Sequence, residues 1–315
     1  MSHDHEYSGH DHSGHSHGGH GHSHVVPTSN AAFAVGAGVN GGFVVLQVVF
    51  GLIAGSVALM ADALHNLGDV LGLLLAWGAA GMGRWRPTAT HTYGFGRSSI
   101  LAALANAVVL LIGCGAIALE AVQRFGDPAP VAGGIVMWVA GAGILVNGGT
   151  ALLFMRGQED DLNMRAAFLH LASDALVSLG VVVSGGVILL TGWHWVDPVT
   201  SLLIAGAITV GTWGLLRQSM ALAMDAVPRG IDRGAVEAAL AGLPGVDEVH
   251  DLHIWGLSTT ESACTVHLVS ESGGAALVEA ACGLLAGQFR IGHATIQVEH
   301  AGLAARCRLR PAEVV

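Results

Sequence analysis

The stretch ALMADALHNLGDVLGLLL, residues 58–75, is an almost unbroken apolar run that carries three ionisable side chains, Asp62, His65 and Asp69. About 20 apolar residues in a helix cross the roughly 30 Å hydrocarbon core of a bilayer, so this run predicts a transmembrane helix. Each ionised group near its centre costs about 2.5 to 3.5 kcal/mol on insertion scales. Something in the folded protein must therefore compensate these groups.

A second apolar run repeats the same arrangement. In FLHLASDAL, residues 168–176, His170 and Asp174 stand four residues apart, as do His65 and Asp69. Residues four apart lie about 6 Å from each other on one helix face. Together the two pairs would supply two imidazole nitrogens and two carboxylate oxygens, a tetrahedral set that zinc accepts. The alternative is that each His forms a buried ion pair with its own Asp, but the duplication favours a shared ion.

The composition excludes several classes of protein. Of 315 residues 52% are hydrophobic and 11% are charged, which leaves too little polar surface for a soluble globule. The net charge of -10, without a basic stripe, argues against binding to nucleic acid. Four cysteines without paired spacing give no disulfide framework and fit a reduced, cytoplasmic setting.

Six apolar stretches predict six membrane spans, and six crossings put both termini on one side. Arginines concentrate at the breaks on that side, so the positive-inside rule assigns both termini to the cytoplasm, most simply of a bacterial inner membrane. The predicted spans are residues 31–54, 56–82, 99–122, 131–155, 165–190 and 199–223.

Three further segments flank the predicted membrane domain, residues 31–223. Residues 1–30 contain nine His among Ser, Gly and Asp, a composition that predicts a disordered, zinc-buffering cytoplasmic tail. Residues 224–303 predict a small soluble domain of order αββαβ, with both helices on one face of a sheet. Residues 304–315 form a short C-terminal tail.

Four motifs together carry a resemblance to a known family. They are ADALHNLGD (61–69), HTYGFGR (91–97), LHLASD (169–174) and VHDLHIW (249–255). On these motifs the chain resembles the cation diffusion facilitators, which are proton-coupled zinc exporters. The resemblance implies an α-helical membrane protein with a six-helix bundle, followed by a cytoplasmic α+β domain that is ferredoxin-like and similar to metallochaperones. It also implies a homodimer in a lipid membrane.

The resemblance also implies specific ligands. It assigns the transport site to four residues that the spacing also selects: His65, Asp69, His170 and Asp174. Two His and two Asp there imply zinc as the main substrate, with cadmium and cobalt as lesser ones.

In the soluble domain the resemblance points to a second zinc site, with zinc as a regulatory ion. His250 and His267 match zinc-binding positions, and His293 and Glu299 are expected to complete the set. His253 and His300 are less certain members, because a surface histidine on a strand needs no metal. Gly302 replaces an Asp found in some relatives, which favours a mononuclear site.

These features predict a zinc exporter that exchanges zinc for protons, without enzymatic activity or a catalytic cofactor. Zinc must displace protons from its ligands, and a histidine pKa near 6.5 allows such competition. One alternative is an intramembrane zinc hydrolase, although the H-E-x-x-H signature is missing and four protein ligands leave no open position for water. Another is a membrane-anchored zinc sensor, which would leave the buried His and Asp pairs unexplained.

Overall fold

Six long helices form the first part of the structure. The computed structural model describes residues 30–83, 85–154, 162–307 and 309. Five of the six helices are long and apolar enough to cross a membrane, and the described apolar part of the fourth, Gly133–Gly149, is shorter. The helices are α1 (Asn30–Ala54), α2 (Val57–Gly83), α3 (Ser98–Gly126), α4 (Gly133–Phe154), α5 (Leu162–Thr191) and α6 (Val196–Ala223).

The predicted α-helical membrane architecture is confirmed. The largest difference from the predicted bounds lies at the end of α3, which continues to Gly126 instead of ending at Val122. Arg124 stabilises this extra turn, because its guanidinium binds Glu120 at 2.9 Å one turn earlier and also reaches the carbonyl of Gly55. The disordered tail was predicted for residues 1–30; residues 1–29 lie outside the described residues, and Asn30 begins α1.

Apolar side chains of the bundle lie both inside and outside. Leu59, Val136 and Val181 are fully buried, whereas Trp138 and Leu190 are more than four-fifths exposed. In water such an outer surface would be costly, but it suits a helix bundle surrounded by lipid. The core therefore accounts for only part of the hydrophobic composition, and the remainder faces outward.

Glycines allow the closest helix contacts. A Cβ on Gly133 of α4 would lie 2.5 Å from the carbonyl oxygen of Gly185 on α5. Between α2 and α3 the fit is reciprocal, because Gly68 receives Leu110 and Gly113 receives Leu64, each at 2.7 Å from the added Cβ. These contacts hold α2 and α5, which carry the predicted metal ligands, in close packing with their neighbours.

The second part of the structure is the predicted α+β domain. Three strands lie in the order β1-β2-β3, with β1 antiparallel and β3 parallel to β2, and α8 connects the parallel pair. Val236 of α7 and Leu285 of α8 are buried in one core with apolar strand residues, which confirms the αββαβ arrangement. The elements are α7 (Arg233–Ala241), β1 (Glu248–Gly256), β2 (Ser262–Val269), α8 (Ala275–Phe289), β3 (Ile291–Glu299) and a short α9 (Ala301–Ala304).

The α+β domain contacts one end of the helix bundle. Arg97 before α3 forms an ion pair with Asp225 after α6, and the backbone N–H of Thr259 donates to Ser99 Oγ at 3.0 Å. Because successive helices alternate in direction, this is the end at which α2 finishes and α5 begins. The α+β domain therefore lies nearer the C-terminal end of α2 and the N-terminal end of α5 than their opposite ends.

Candidate metal centres

The four predicted transport ligands meet between α2 and α5. His65 Nε2 lies 2.9 Å from Asp174 Oδ1, and His170 Nε2 lies 3.6 Å from Asp69 Oδ2 and 3.7 Å from Asp174 Oδ2. Donor atoms of His65, Asp69 and Asp174 all lie within 4.8 Å of one another. We call these four residues the membrane site.

The contacts cross between the helices. The short contact of His65 is with Asp174 on the opposite helix, and His170 approaches Asp69 on α2 as closely as its own neighbour Asp174. Two independent pairs, each confined to its own helix, would not produce this pattern. The donor atoms of His65, Asp69 and Asp174 are close enough for one ion, and His170 adjoins this group through Asp69 and Asp174.

Exposure varies systematically across the membrane site. The side chains of Asp69 and His170 are 25% and 28% exposed, whereas those of His65 and Asp174 are 17% and 5% exposed. Asp69 and His170 also lie one helical turn nearer the end of the bundle that contacts the α+β domain. The site is therefore more accessible from the side of that domain.

A network of polar side chains lies on the opposite, closed side of the membrane site. Asp62 is completely buried, and it accepts hydrogen bonds from Gln47 of α1 at 2.7 Å and Ser178 of α5 at 3.3 Å. Asn66 donates to the amide oxygen of Gln47 at 2.9 Å. The sequence marked Asp62 as unusual, but Gln47 and Ser178 were missed because single amides and hydroxyls are common in membrane helices.

A second cluster of possible ligands lies on the sheet of the α+β domain. His250 and His267 are register partners on β1 and β2, with ring centroids 5.1 Å apart. Glu299 ends β3, and its carboxylate lies 3.2 Å from His267 Nδ1 and 3.6 Å from His250 Nε2. Cys307, beyond α9, brings its sulfur to 3.8 Å from His267 Nδ1. We call His250, His267, Glu299 and Cys307 the sheet cluster.

Unpaired buried atoms in the sheet cluster fit a metal ion. Both ring nitrogens of His250 and Oε2 of Glu299 are buried without a hydrogen-bond partner. Leaving such groups unsatisfied costs about 1 to 3 kcal/mol each, more for a charged one. Two imidazoles, a carboxylate and a thiol are ligands that zinc readily accepts. The ligand types in the sheet cluster and its unpaired buried atoms therefore both fit a zinc ion.

His293, predicted as a ligand of the soluble domain, lies outside the sheet cluster. It precedes Glu299 by six residues on β3, a separation of roughly 20 Å along an extended strand. Its ring instead packs edge-on against Tyr93 in the loop between α2 and α3, with centroids 5.3 Å apart. Cys307 was missed because it follows the last strand and α9, so only the chain's return toward the sheet reveals its position.

The two less certain histidines have local partners. His253 Nε2 lies 2.9 Å from Asp251 Oδ1 across a β-bulge, where Asp251 adopts a left-handed backbone conformation with φ 51°. His300 Nδ1 accepts the backbone N–H of Leu303 and caps α9. Neither residue belongs to the sheet cluster.

The cysteine thiols of the α+β domain differ in reactivity. Burial, together with the nearby Cys282, raises the pKa of the Cys264 thiol to about 11. Cys264 is fully buried in the core and remains protonated near neutral pH. Cys307 is only partly buried and lies beside His267, which makes it the thiol suited to metal binding.

The helix bundle, the donors between α2 and α5 and the attached α+β domain define an integral membrane protein of the cation-carrying class. Residues 33–222 match the model of the cation efflux transmembrane domain, and residues 228–301 match that of the cation efflux protein cytoplasmic domain. The chain therefore belongs to the cation efflux family, the cation diffusion facilitators, whose members are transporters and not enzymes.

Several relatives align over most of the chain. The zinc transporter ZitB of Escherichia coli (strain K12) is 36% identical over 283 residues, which cover 88% of this chain and 90% of ZitB. The metal cation efflux system protein CzcD of Cupriavidus metallidurans is 34% identical, covering 88% of this chain and 89% of CzcD. The cadmium, cobalt and zinc/H(+)-K(+) antiporter of Bacillus subtilis (strain 168) is 31% identical, covering 72% and 74%.

The solved structures that match include the metal-bound C-terminal domain of the CzcD transporter from Cupriavidus metallidurans. This structure is 36% identical, covers 22% of this chain and 99% of that chain, and has a TM-score of 0.21.

The family models and the sequence relatives show that the chain is a cation efflux transporter, as the sequence predicted.

Proposed function

We propose that this protein exchanges cytoplasmic zinc for protons and that the membrane site carries the ion. The observation that supports the proposal most strongly is the crossed contact pattern, in which Asp174 approaches the histidines of both helices. A four-ligand shell of His and Asp suits a carrier, because it leaves no position for a catalytic water. The names of the relatives support zinc first, and cadmium and cobalt as further substrates.

Proton coupling follows from the chemistry of the ligands. Zinc binds imidazole only when the coordinating nitrogen is unprotonated, so metal and protons compete for the membrane site. Without metal, each histidine can hold a proton against a carboxylate of the other helix, as the 2.9 Å contact of His65 with Asp174 suggests. Arriving zinc displaces these protons, and protons from the other side of the membrane displace zinc.

The side of the membrane from which the ion reaches the membrane site follows from the exposure of its members. Its more exposed members, Asp69 and His170, lie toward the α+β domain, while Asp62 and Asp174 are buried on the far side. Arginines also concentrate at that end of the bundle, which supports a cytoplasmic location of the domain and both termini. We infer that the structure is open to the cytoplasm, and that the protein resides in a bacterial inner membrane.

The sheet cluster is proposed to hold a regulatory zinc ion. His250, His267, Glu299 and Cys307 would be its ligands, and the unpaired buried atoms of His250 and Glu299 support this assignment. An ion there would link the C-terminal segment to the sheet. We further propose that residues 31–223 and 224–303 act as the membrane and cytoplasmic domains of a homodimer. The family that matches residues 228–301 supports this, because its short name, ZT_dimer, refers to a dimer.

The proposal is tested by zinc flux into proteoliposomes under imposed gradients. The wild type is compared with Asp69→Ala and Asp174→Ala, in separate arms with a pH gradient alone and with a potassium gradient alone. We expect flux with the pH gradient and at least a 100-fold loss in both variants. Absence of wild-type flux, or unchanged flux in the variants, would refute the proposal. Flux driven by the potassium gradient alone would refute the proton as the sole counter-ion.

A further inference from the structure

Asp62 is a buried carboxylate that the transport mechanism above does not use. It lies three residues before His65 on α2, hence about one helical turn from the membrane site. It is completely buried, as are its partners Gln47 and Ser178. Gln47 Nε2 donates to Asp62 Oδ2 at 2.7 Å, and Ser178 Oγ donates to the same oxygen at 3.3 Å. Asp62 therefore connects three helices, α1, α2 and α5.

The network fixes which atoms face the carboxylate. Asn66 donates its amide N–H to Gln47 Oε1 at 2.9 Å, so the amide nitrogen of Gln47 must point toward Asp62. Both hydrogen-bond partners of Asp62 given by the structure are then donors. Hydrogen bonds donated to a carboxylate favour its ionised form, so this network stabilises the negative charge of Asp62.

The charge of Asp62 interacts with members of the membrane site. The other charged groups that act on it are His65 on its own helix and Asp174 on α5, both members of the membrane site. In a buried setting a unit charge at this range is weakly screened, so it acts strongly on a cation in the site.

We propose that Asp62 is a positioning residue whose fixed negative charge sets the zinc affinity of the membrane site without binding the ion. Gln47 and Ser178 hold this charge one helical turn away from the ligands. The inference rests on the proposed function of the membrane site. It deepens that function by naming a charge that favours a dication over monovalent ions in the same site.

The test compares neutral and charged replacements of Asp62. In Asp62→Asn the new amide oxygen can accept from Gln47, and the new amide N–H can donate to Ser178, whose hydroxyl also accepts. This variant removes the charge and keeps the shape. Asp62→Ser is a second neutral variant, and Asp62→Glu retains the charge. Ser184→Ala removes a buried hydroxyl of α5 outside this network and serves as the matched control with the charge intact.

Zinc uptake by the full chain in proteoliposomes is measured over a range of zinc concentrations at fixed pH. We expect Asp62→Asn and Asp62→Ser to raise the KM for zinc about tenfold or more while Vmax changes less than threefold. Asp62→Glu and Ser184→Ala should keep KM within about threefold of wild type. If Asp62 were only structural, the KM for zinc would not separate the neutral variants from the charged ones in this way.

Two results would overturn the inference. One is an unchanged KM in whichever neutral variant folds, judged by a monodisperse elution profile. The other is an equal rise of KM in neutral and charged variants alike. The proposed function fails separately, because its failure would remove zinc uptake from the wild type itself.

Discussion

Asp174 is the single side chain on which the membrane site most depends. It contacts His65 at 2.9 Å and His170 at 3.7 Å, and it is the most buried of the four members. Removal of its charge would leave two imidazoles in an apolar bundle without their shared partner. In the proposed function, Asp174 therefore both binds the cation and holds α2 against α5.

Asp174→Asn should reduce zinc flux by at least 100-fold while the protein still folds. The amide keeps the shape of the side chain but is a much weaker zinc ligand than a carboxylate. Flux into proteoliposomes measures the loss, with Asp127→Asn as the control because Asp127 is an exposed carboxylate at the end of α3. Flux in Asp174→Asn within a factor of three of the control would contradict the assignment.

Cys307 gives a direct test of the sheet cluster. If its thiolate binds zinc, zinc should slow alkylation of Cys307 by a maleimide at least tenfold, since a metal-bound thiolate is blocked. Mass spectrometry of peptides follows the reaction, and the partly buried Cys282 is the internal control. In His250→Ala the protection should disappear. Equal protection of Cys282, or none of Cys307, would exclude Cys307 as a ligand.

Among the helices, the start of α2 depends on a residue from α6. The carboxylate of Asp197 accepts hydrogen bonds from the backbone N–H groups of Val57 and Ala58, the nearer at 2.7 Å, and from Ser56 Oγ. It thus caps α2 from another helix and compensates its own complete burial. The cap lies at the end of the bundle opposite the α+β domain.

Asp197→Ala should destabilise the bundle by about 1 to 3 kcal/mol, because it removes a helix cap and leaves buried donors unpaired. Thermal unfolding in detergent would show this as a Tm lower by several degrees. Thr191→Ala, at the exposed end of α5, is the control, since its hydroxyl bonds only within its own turn and the next loop. A Tm equal to that of the control would show that the cap is dispensable.

Elements with a regular hydrophobic pattern were predictable from the sequence. The membrane helices were predictable from the length of their apolar runs, and the order αββαβ of the soluble domain from its alternating patterns. The approach of the His and Asp pairs of α2 and α5 followed from a repeated local spacing. Gln47, Asp197 and Cys307 could not be predicted, because each acts on residues far away along the chain, and only the packing of helices or strands brings them together.

Across the whole molecule, the membrane site and the sheet cluster are separate structures that the chain joins at one end of the bundle. The Arg97 ion pair with Asp225 and the contact of Tyr93 with His293 link the two domains there. The four members of the membrane site all lie on α2 and α5, within the helix bundle. On the proposed function, the maximal rate of transport should therefore depend on these two helices.

Deletion of residues 1–29 should leave Vmax for zinc within about twofold of the full chain, since the four members of the membrane site are unchanged. The same deletion combined with Asp69→Ala is the control and should lack flux. The measurement is uptake into proteoliposomes at saturating zinc. Loss of flux on deletion alone would show that the N-terminal segment takes part in transport.

The most direct test of the account is a high-resolution cryo-EM map of the zinc-loaded protein in lipid nanodiscs. We predict one ion between α2 and α5, at about 2.0 to 2.2 Å from a nitrogen of His65, a nitrogen of His170 and carboxylate oxygens of Asp69 and Asp174. Asp62 should remain bound to Gln47 and outside the coordination shell. An ion held by ligands of one helix alone, or no ion between the two helices, would contradict the shared site.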